Sequence, residues 1–141
     1  MTDQAIKTPW HIWVVGLLTL LWNSLGITSY LMTELGKLEA LGFPPDQIAY
    51  FDAMPGWAIA LWALGVWGAF FGSVLILLRS RFAVPALLVS VLGLIGTTVY
   101  ERVSTTIPAE LDNVVLSAAI WILTFGTLIY ASRMRRAGVI R

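Results

Sequence analysis

The chain has no cysteine and a single histidine. The first absence excludes disulfides, thiolate catalysis, iron–sulfur clusters and cysteine-ligated zinc. The second excludes a two-histidine haem site, an HExxH motif and a paired histidine–carboxylate metal cluster within one chain. Charge is also scarce: 12% of residues are charged against 58% hydrophobic, too little polar surface to cover a water-soluble fold of this size. Proline is missing from the middle of every long apolar run, so the broken helices of many secondary transporters are not expected. The glycines of GVWGAFFGS (65–73) sit inside an apolar run with no preceding strand and do not form a phosphate loop. No serine–histidine arrangement is present to supply a nucleophile. The chain is expected not to be an enzyme and to need no cofactor or metal.

What remains is apolar length. Residues 8–33, 53–78, 82–100 and 113–132 carry no Asp, Glu, Lys or Arg, and each provides or nearly provides the roughly 20 helical residues needed to cross a hydrocarbon core. Strands of a barrel would be about half as long and strictly alternating. The first run is too long for a signal peptide, and Met32, Thr33 and Glu34 make no small-residue cleavage site. The expectation is an all-α integral membrane four-helix bundle, one domain over 1–141, with helices at about 9–33, 55–79, 83–101 and 109–132.

The connections set an orientation. Lys7, Arg79, Arg81, Arg133, Arg135, Arg136 and Arg141 fall on one side and only Lys37 and Arg102 on the other, which places both termini in the cytoplasm by the positive-inside rule. Glu34, Glu39, Asp46, Asp52, Glu101, Glu110 and Asp112 crowd the opposite side. Thr8–Pro9 is read as the start of the first helix, with Pro55 and Pro85 early in the second and third. Pro108 is read as opening the fourth, with Glu110 and Asp112 at its positive dipole end. In the first periplasmic loop, Pro45 is expected to begin a short interfacial helix whose Ile48, Phe51 and Met54 touch the membrane while Asp46 and Gln47 face water. Phe43, Tyr50, Phe51 and Trp57 would mark the outer headgroup level, and Trp10 and Trp13 the inner. His11, beside those two tryptophans, reads as interfacial polarity and not as a pigment or haem ligand. The tail RMRRAGVIR (133–141) suits anionic headgroups and is too small a basic surface for nucleic acid.

Helical spacing then sorts faces. Gly16, Asn23, Tyr30 and Glu34 form one stripe, Ser90, Thr97 and Glu101 a second, and Ser117 and Thr124, with Trp121 beside them, a third. Convergence of these stripes would give a polar core, or a solute path, of Asn23, Tyr30, Ser90, Thr97, Ser117 and Thr124. Glu34 and Glu101 would form an outer acidic entrance, suited to proton coupling or to a cation. Asn23 serves either as a lock between helices or as a solute contact, since an amide at that depth needs partners. Gly65, Ala69 and Ser73 form one small-residue series and Gly68 and Gly72 another, a packing interface with Gly93 and Gly96 as a flat counterpart. Spacing leaves open whether the neighbour is in the same chain or another subunit.

PWHIWVVGLLTLLWNSLG, the YLMTELG exit from the first helix and PGWAIALWALGVWGAFFGSVLILLRSRFAVP resemble small four-span inner-membrane proteins of Gram-negative bacteria, often labelled sugar transporters. The likeness is densest over 9–85, at Trp22–Asn23 and in the pattern of Pro55, Trp57 and Gly65–Gly68. It implies an inner-membrane location and solute transport. Two functions from different classes fit the chain: a small-solute transporter or channel, homo-oligomeric because one short bundle offers little room, or a non-catalytic accessory subunit of a larger membrane complex. The partners expected are membrane lipids, further copies or complex subunits, and no nucleic acid.

Overall fold

The computed structural model describes residues 6–103 and 107–141. Within them the chain forms five helices and no strand: α1 His11–Glu34, α2 Pro45–Asp52, α3 Gly56–Leu77, α4 Ala83–Val103 and α5 Val114–Arg136. The first and the last three are long and apolar enough to cross a membrane. Their outward side chains agree with that role: Leu21 and Leu25 of α1 are 66% and 67% exposed, and Val115 and Ile122 of α5 are 80% and 70% exposed. Apolar surface of this extent is stable against lipid and not against water.

The ends of the helices follow local chemistry and shift several expected boundaries. Thr8 does not cap α1; the carbonyl of Pro9 instead accepts from Ile12 N at 3.3 Å, and the first helical residue is His11. Pro108 does not open α5 either. It belongs to a turn closed by Leu111 N to Pro108 O at 2.9 Å, and the cap is Asn113, whose Oδ1 accepts from Leu116 N at 3.0 Å. Glu110 and Asp112 therefore precede the helix, and Asp112 lies 3.7 Å from Arg102 across the α4–α5 connection. At its other end α5 continues through its arginines, which suit the negative end of the helix dipole.

Three spans end in the same way. Beyond α1, Gly36 adopts φ +66°, so Lys37 N reaches Met32 O at 2.9 Å and Gly36 N reaches Thr33 O at 3.1 Å. Gly138 does this after α5. After α3 the left-handed position is held by Arg79, at φ 55°, a conformation that costs a residue with a Cβ about 1–2 kcal/mol. Its compensation is the C-terminal tail: Arg79 Nε donates to Val139 O at 3.1 Å, its carbonyl accepts from Arg141 N at 3.0 Å, and Arg81 N donates to Arg141 O at 2.7 Å.

Neighbouring spans form a ring in the order α1, α3, α4, α5, closed by a sparse contact between α5 and α1. The α3–α4 seam is the tightest. A Cβ added at Gly68 would stand 2.9 Å from Ala86 O and Ser90 N, and one at Gly93 would stand 2.5 Å from Leu61 O, so backbone meets backbone. The small residues are thus consumed within one chain, but not in the expected series: Gly65, Gly68 and Gly72 face α4, whereas Ala69 and Ser73 face α1. Gly96 lies against Leu61 of α3, and Gly16 lies against Leu77, which assigns its face of α1 to packing.

Each end of the ring carries its own apolar cluster. At the arginine end, Ile12, Ile76, Ala83, Leu87 and Ala131 pack with Val139 and Ile140, so the tail folds back onto the bundle while Arg133, Arg135, Arg136 and Arg141 stay exposed. At the opposite end, α2 packs Tyr50 and Met54 against Ala58, with Trp62 and Tyr100 around them. This corrects three expectations. Gln47 is buried, not facing water, Tyr50 is core, not a headgroup marker, and Met54 is core, not a membrane contact. Asp46 and Asp52 do stay exposed.

Candidate functional site

Between the four spans lies a cavity of about 380 Å³. A second, of about 200 Å³, shares Trp22, Asn23, Ala69 and Thr124 with it. From Ser117 to Thr127 the pair follows α5 for about 15 Å, half of a hydrocarbon core. The larger cavity extends to Glu101, in the last turn of α4. At the arginine end the smaller cavity ends against Leu87, a member of the cluster around Ile12 and Val139.

Of the expected polar core, Asn23, Ser90, Thr97, Ser117 and Thr124 line the larger cavity, and so does Glu101. Tyr30 and Glu34 do not. Tyr30 stands edge-on to Trp62, 5.1 Å between ring centres, and braces that wall from behind; Glu34 is exposed at the end of α1. The acidic entrance therefore reduces to Glu101.

The lining hydroxyls and amides differ in what they have left to offer. Ser90 Oγ donates to Gly65 O at 2.7 Å and Thr97 Oγ1 to Gly93 O at 2.8 Å, so both are spent on backbone. Asn23 Nδ2 donates to Ala69 O at 3.0 Å and to Ser73 Oγ at 2.8 Å, which ties α1 to α3. The Ala69 carbonyl can only accept, so this orientation of the amide is fixed. Tyr50 Oη is the one side-chain polar atom that is both fully buried and unpartnered among the described residues. Asn23 Oδ1, equally unpartnered there, must then open on the cavity. Ser117 and Thr124 make no side-chain hydrogen bond among the described residues, so their hydroxyls also remain free for a solute. Asn23 thus locks α1 to α3 through its nitrogen and turns its oxygen to the cavity.

The remaining wall is aromatic and aliphatic. Trp22, Trp62 and Trp121 line it from α1, α3 and α5. Trp62 is held in place by Phe51, stacked at 5.7 Å, and Trp121 by Phe125, stacked at 5.5 Å. These braces went unread in the sequence, because tryptophan near a membrane end signals interface anchoring at least as strongly as a cavity wall.

Two polar groups lie outside the cavity. His11 Nδ1 and Tyr130 Oη are 2.5 Å apart and join α1 to α5 at the arginine end, so the histidine is a helix link as well as a boundary residue. Tyr50, under α2, is pushed up to about 12 chiefly by burial and then by the negative charge of Glu101 and by Tyr100. No group of three or more His, Cys, Asp or Glu suited to a metal occurs among the described residues.

No protein-family model, curated protein or solved structure matches the chain. The resemblance drawn over residues 9–85 therefore rests on its motifs alone, and function has to be argued from the cavity.

Proposed function

We propose that this chain is a multi-pass protein of a bacterial inner membrane, with both termini cytoplasmic, that binds and carries a small solute through its four-helix bundle. The observation that carries this reading is the cavity at the meeting of the polar stripes, where Asn23 Oδ1 and the Ser117 and Thr124 hydroxyls lack partners among the described residues. Unspent hydrogen-bonding groups in an apolar chamber are costly unless water or a ligand meets them. The charge distribution supports an outward-facing chamber: Glu101 stands on the acid-rich side and the closing cluster on the arginine-rich side. Opening to the cytoplasm would require α1 and α5 to part at His11 and Tyr130, the sparsest contact of the ring.

A chamber of about 380 Å³ inside one chain is already of ligand size, which removes the argument from volume for a homo-oligomer. The accessory-subunit reading drew on the small-residue face of α3. That face is occupied by α4 and α1 of the same chain.

The test is flux into proteoliposomes across a panel of small polar solutes. Saturable uptake is expected, and it should fall in Thr124→Val and Ser117→Ala, whose hydroxyls hold nothing in the fold. Uptake equal to that of protein-free liposomes for every solute would refute the reading.

A further inference from the structure

We propose that the solute is a small organic cation, seated with its charge toward Glu101 and its apolar body among Trp22, Trp62 and Trp121. This rests on the solute-binding reading above and adds the chemical class.

Charge comes first. Among the described residues Glu101 is the only ionisable side chain lining the larger cavity, and no lysine, arginine or histidine does. The adjacent Arg102 does not close an ion pair with it. Its guanidinium is directed to Asp112 at 3.7 Å and is largely in solvent, and the Arg102–Asp112 pair is the only salt bridge among the described residues. An anionic solute would meet a carboxylate that closes no salt bridge among the described residues, in a chamber of low dielectric where charges interact several-fold more strongly than in water. A cation would supply the missing partner.

The rest of the lining selects in the same direction. Asn23 offers the chamber only an acceptor, because both of its amide hydrogens are taken by α3. Ser90 and Thr97 have donated their hydroxyl hydrogens to carbonyls, so their oxygens too face any solute as acceptors. Acceptors suit ammonium hydrogens and polarised methyl groups. The tryptophans add the second element of cation recognition, since the negative face of an indole ring attracts an ammonium group, and more strongly when water is excluded. The donors left unpartnered among the described lining residues are hydroxyls such as Ser117 and Thr124 and the indole N–H groups of Trp22, Trp62 and Trp121, all neutral, so the preference for a cation over a neutral polyol rests on the Glu101 charge and the indole faces.

The experiment uses the full-length protein in nanodiscs of zwitterionic lipid, with tryptophan fluorescence as readout and empty nanodiscs as blank. Three probes share one aromatic ring and differ in charge: benzyltrimethylammonium, benzyl alcohol and benzoate. The cation is expected to give a saturable change, weakened by about tenfold in Glu101→Gln and weakened also in Trp121→Leu, with no change in Glu34→Gln, which lies outside the chamber. Glu101→Asp, which keeps the charge if Glu101→Gln fails to fold, should retain the preference for the cation. Equal or tighter binding of benzyl alcohol would overturn the cation assignment while leaving a solute chamber in place. Binding of the cation that is lost equally in Glu34→Gln would overturn it in favour of diffuse attraction to the acidic face. Saturation by none of the three would overturn it and count against the chamber as a binding site.

Discussion

Asn23 Nδ2 lies 2.8 Å from Ser73 Oγ, and the same serine donates onward to Ala69 O at 3.0 Å. One amide from α1 thereby engages a hydroxyl and a carbonyl of α3 at once. The arrangement satisfies the nitrogen inside the bundle and leaves the amide oxygen directed at the chamber.

Removing the lock should cost stability through the nitrogen. In a double-mutant cycle on Asn23→Ala and Ser73→Ala, followed by unfolding in mild detergent, the coupling energy is expected at about 0.6–1.7 kcal/mol, the range for hydrogen bonds between membrane helices. Additive losses would mean that the two side chains do not bond.

The α3–α4 seam should tolerate no added bulk. Gly93→Ala places a methyl group against the Leu61 carbonyl and the Gly65 backbone, and is expected to destabilise by at least about 1–3 kcal/mol. Gly126→Ala, on a part of α5 with nothing within 4 Å, should be neutral or stabilising by up to about 1 kcal/mol. Thermal melts of the two variants check the contrast.

Deleting residues 139–141 should loosen the arginine end. The deletion removes buried Val139 and Ile140 and leaves Arg79 in its left-handed conformation without the tail that binds it. With about 1.5–3 kcal/mol for each buried aliphatic side chain, a lower midpoint of thermal unfolding is expected. Arg79→Gly in the truncated chain should recover about 1 kcal/mol of that loss by relieving the backbone.

Alkali should act through Tyr50. Its folded-state pKa is raised from 10.0 to about 12 by burial first and by the Glu101 and Tyr100 neighbours next. The neutral phenol is therefore favoured by folding. That contribution is intact below pH 10 and is lost as pH rises through about 12. Tyrosinate absorbance should reveal one late-titrating phenol that Tyr50→Phe removes, and the variant should resist alkaline unfolding better than the parent.

Much of this architecture was legible in the residues. Spans declare themselves by uncharged length, and the small-residue face of α3 and the convergence of Asn23, Thr97, Ser117 and Thr124 follow from helical spacing. What spacing could not give was the partner across each face. Ala69 and Ser73 went with Gly65 by periodicity, yet the ring turns the first two toward α1 and the third toward α4. Tyr30 shares a stripe with Asn23 but stands behind Trp62, because the stripe is broad enough to meet two neighbours. The true cap of α5, Asn113, was masked by Pro108, an equally good local start signal that formed a turn instead. The inward side of α2 and the docking of Val139 and Ile140 are tertiary choices of short segments, which carry too few residues to display a periodicity.

The most direct test of a solute chamber exploits the lack of cysteine in the native chain. Single substitutions Ser117→Cys, Thr124→Cys and Leu21→Cys, in oriented membrane vesicles, would be exposed to a membrane-impermeant maleimide from either side. A water-filled chamber open to the periplasm predicts that the first two react from that side and are protected by bound solute, while the exposed position at Leu21, which lines neither cavity, does not react. Failure of Ser117→Cys and Thr124→Cys to react, or reaction only from the cytoplasmic side, would contradict it.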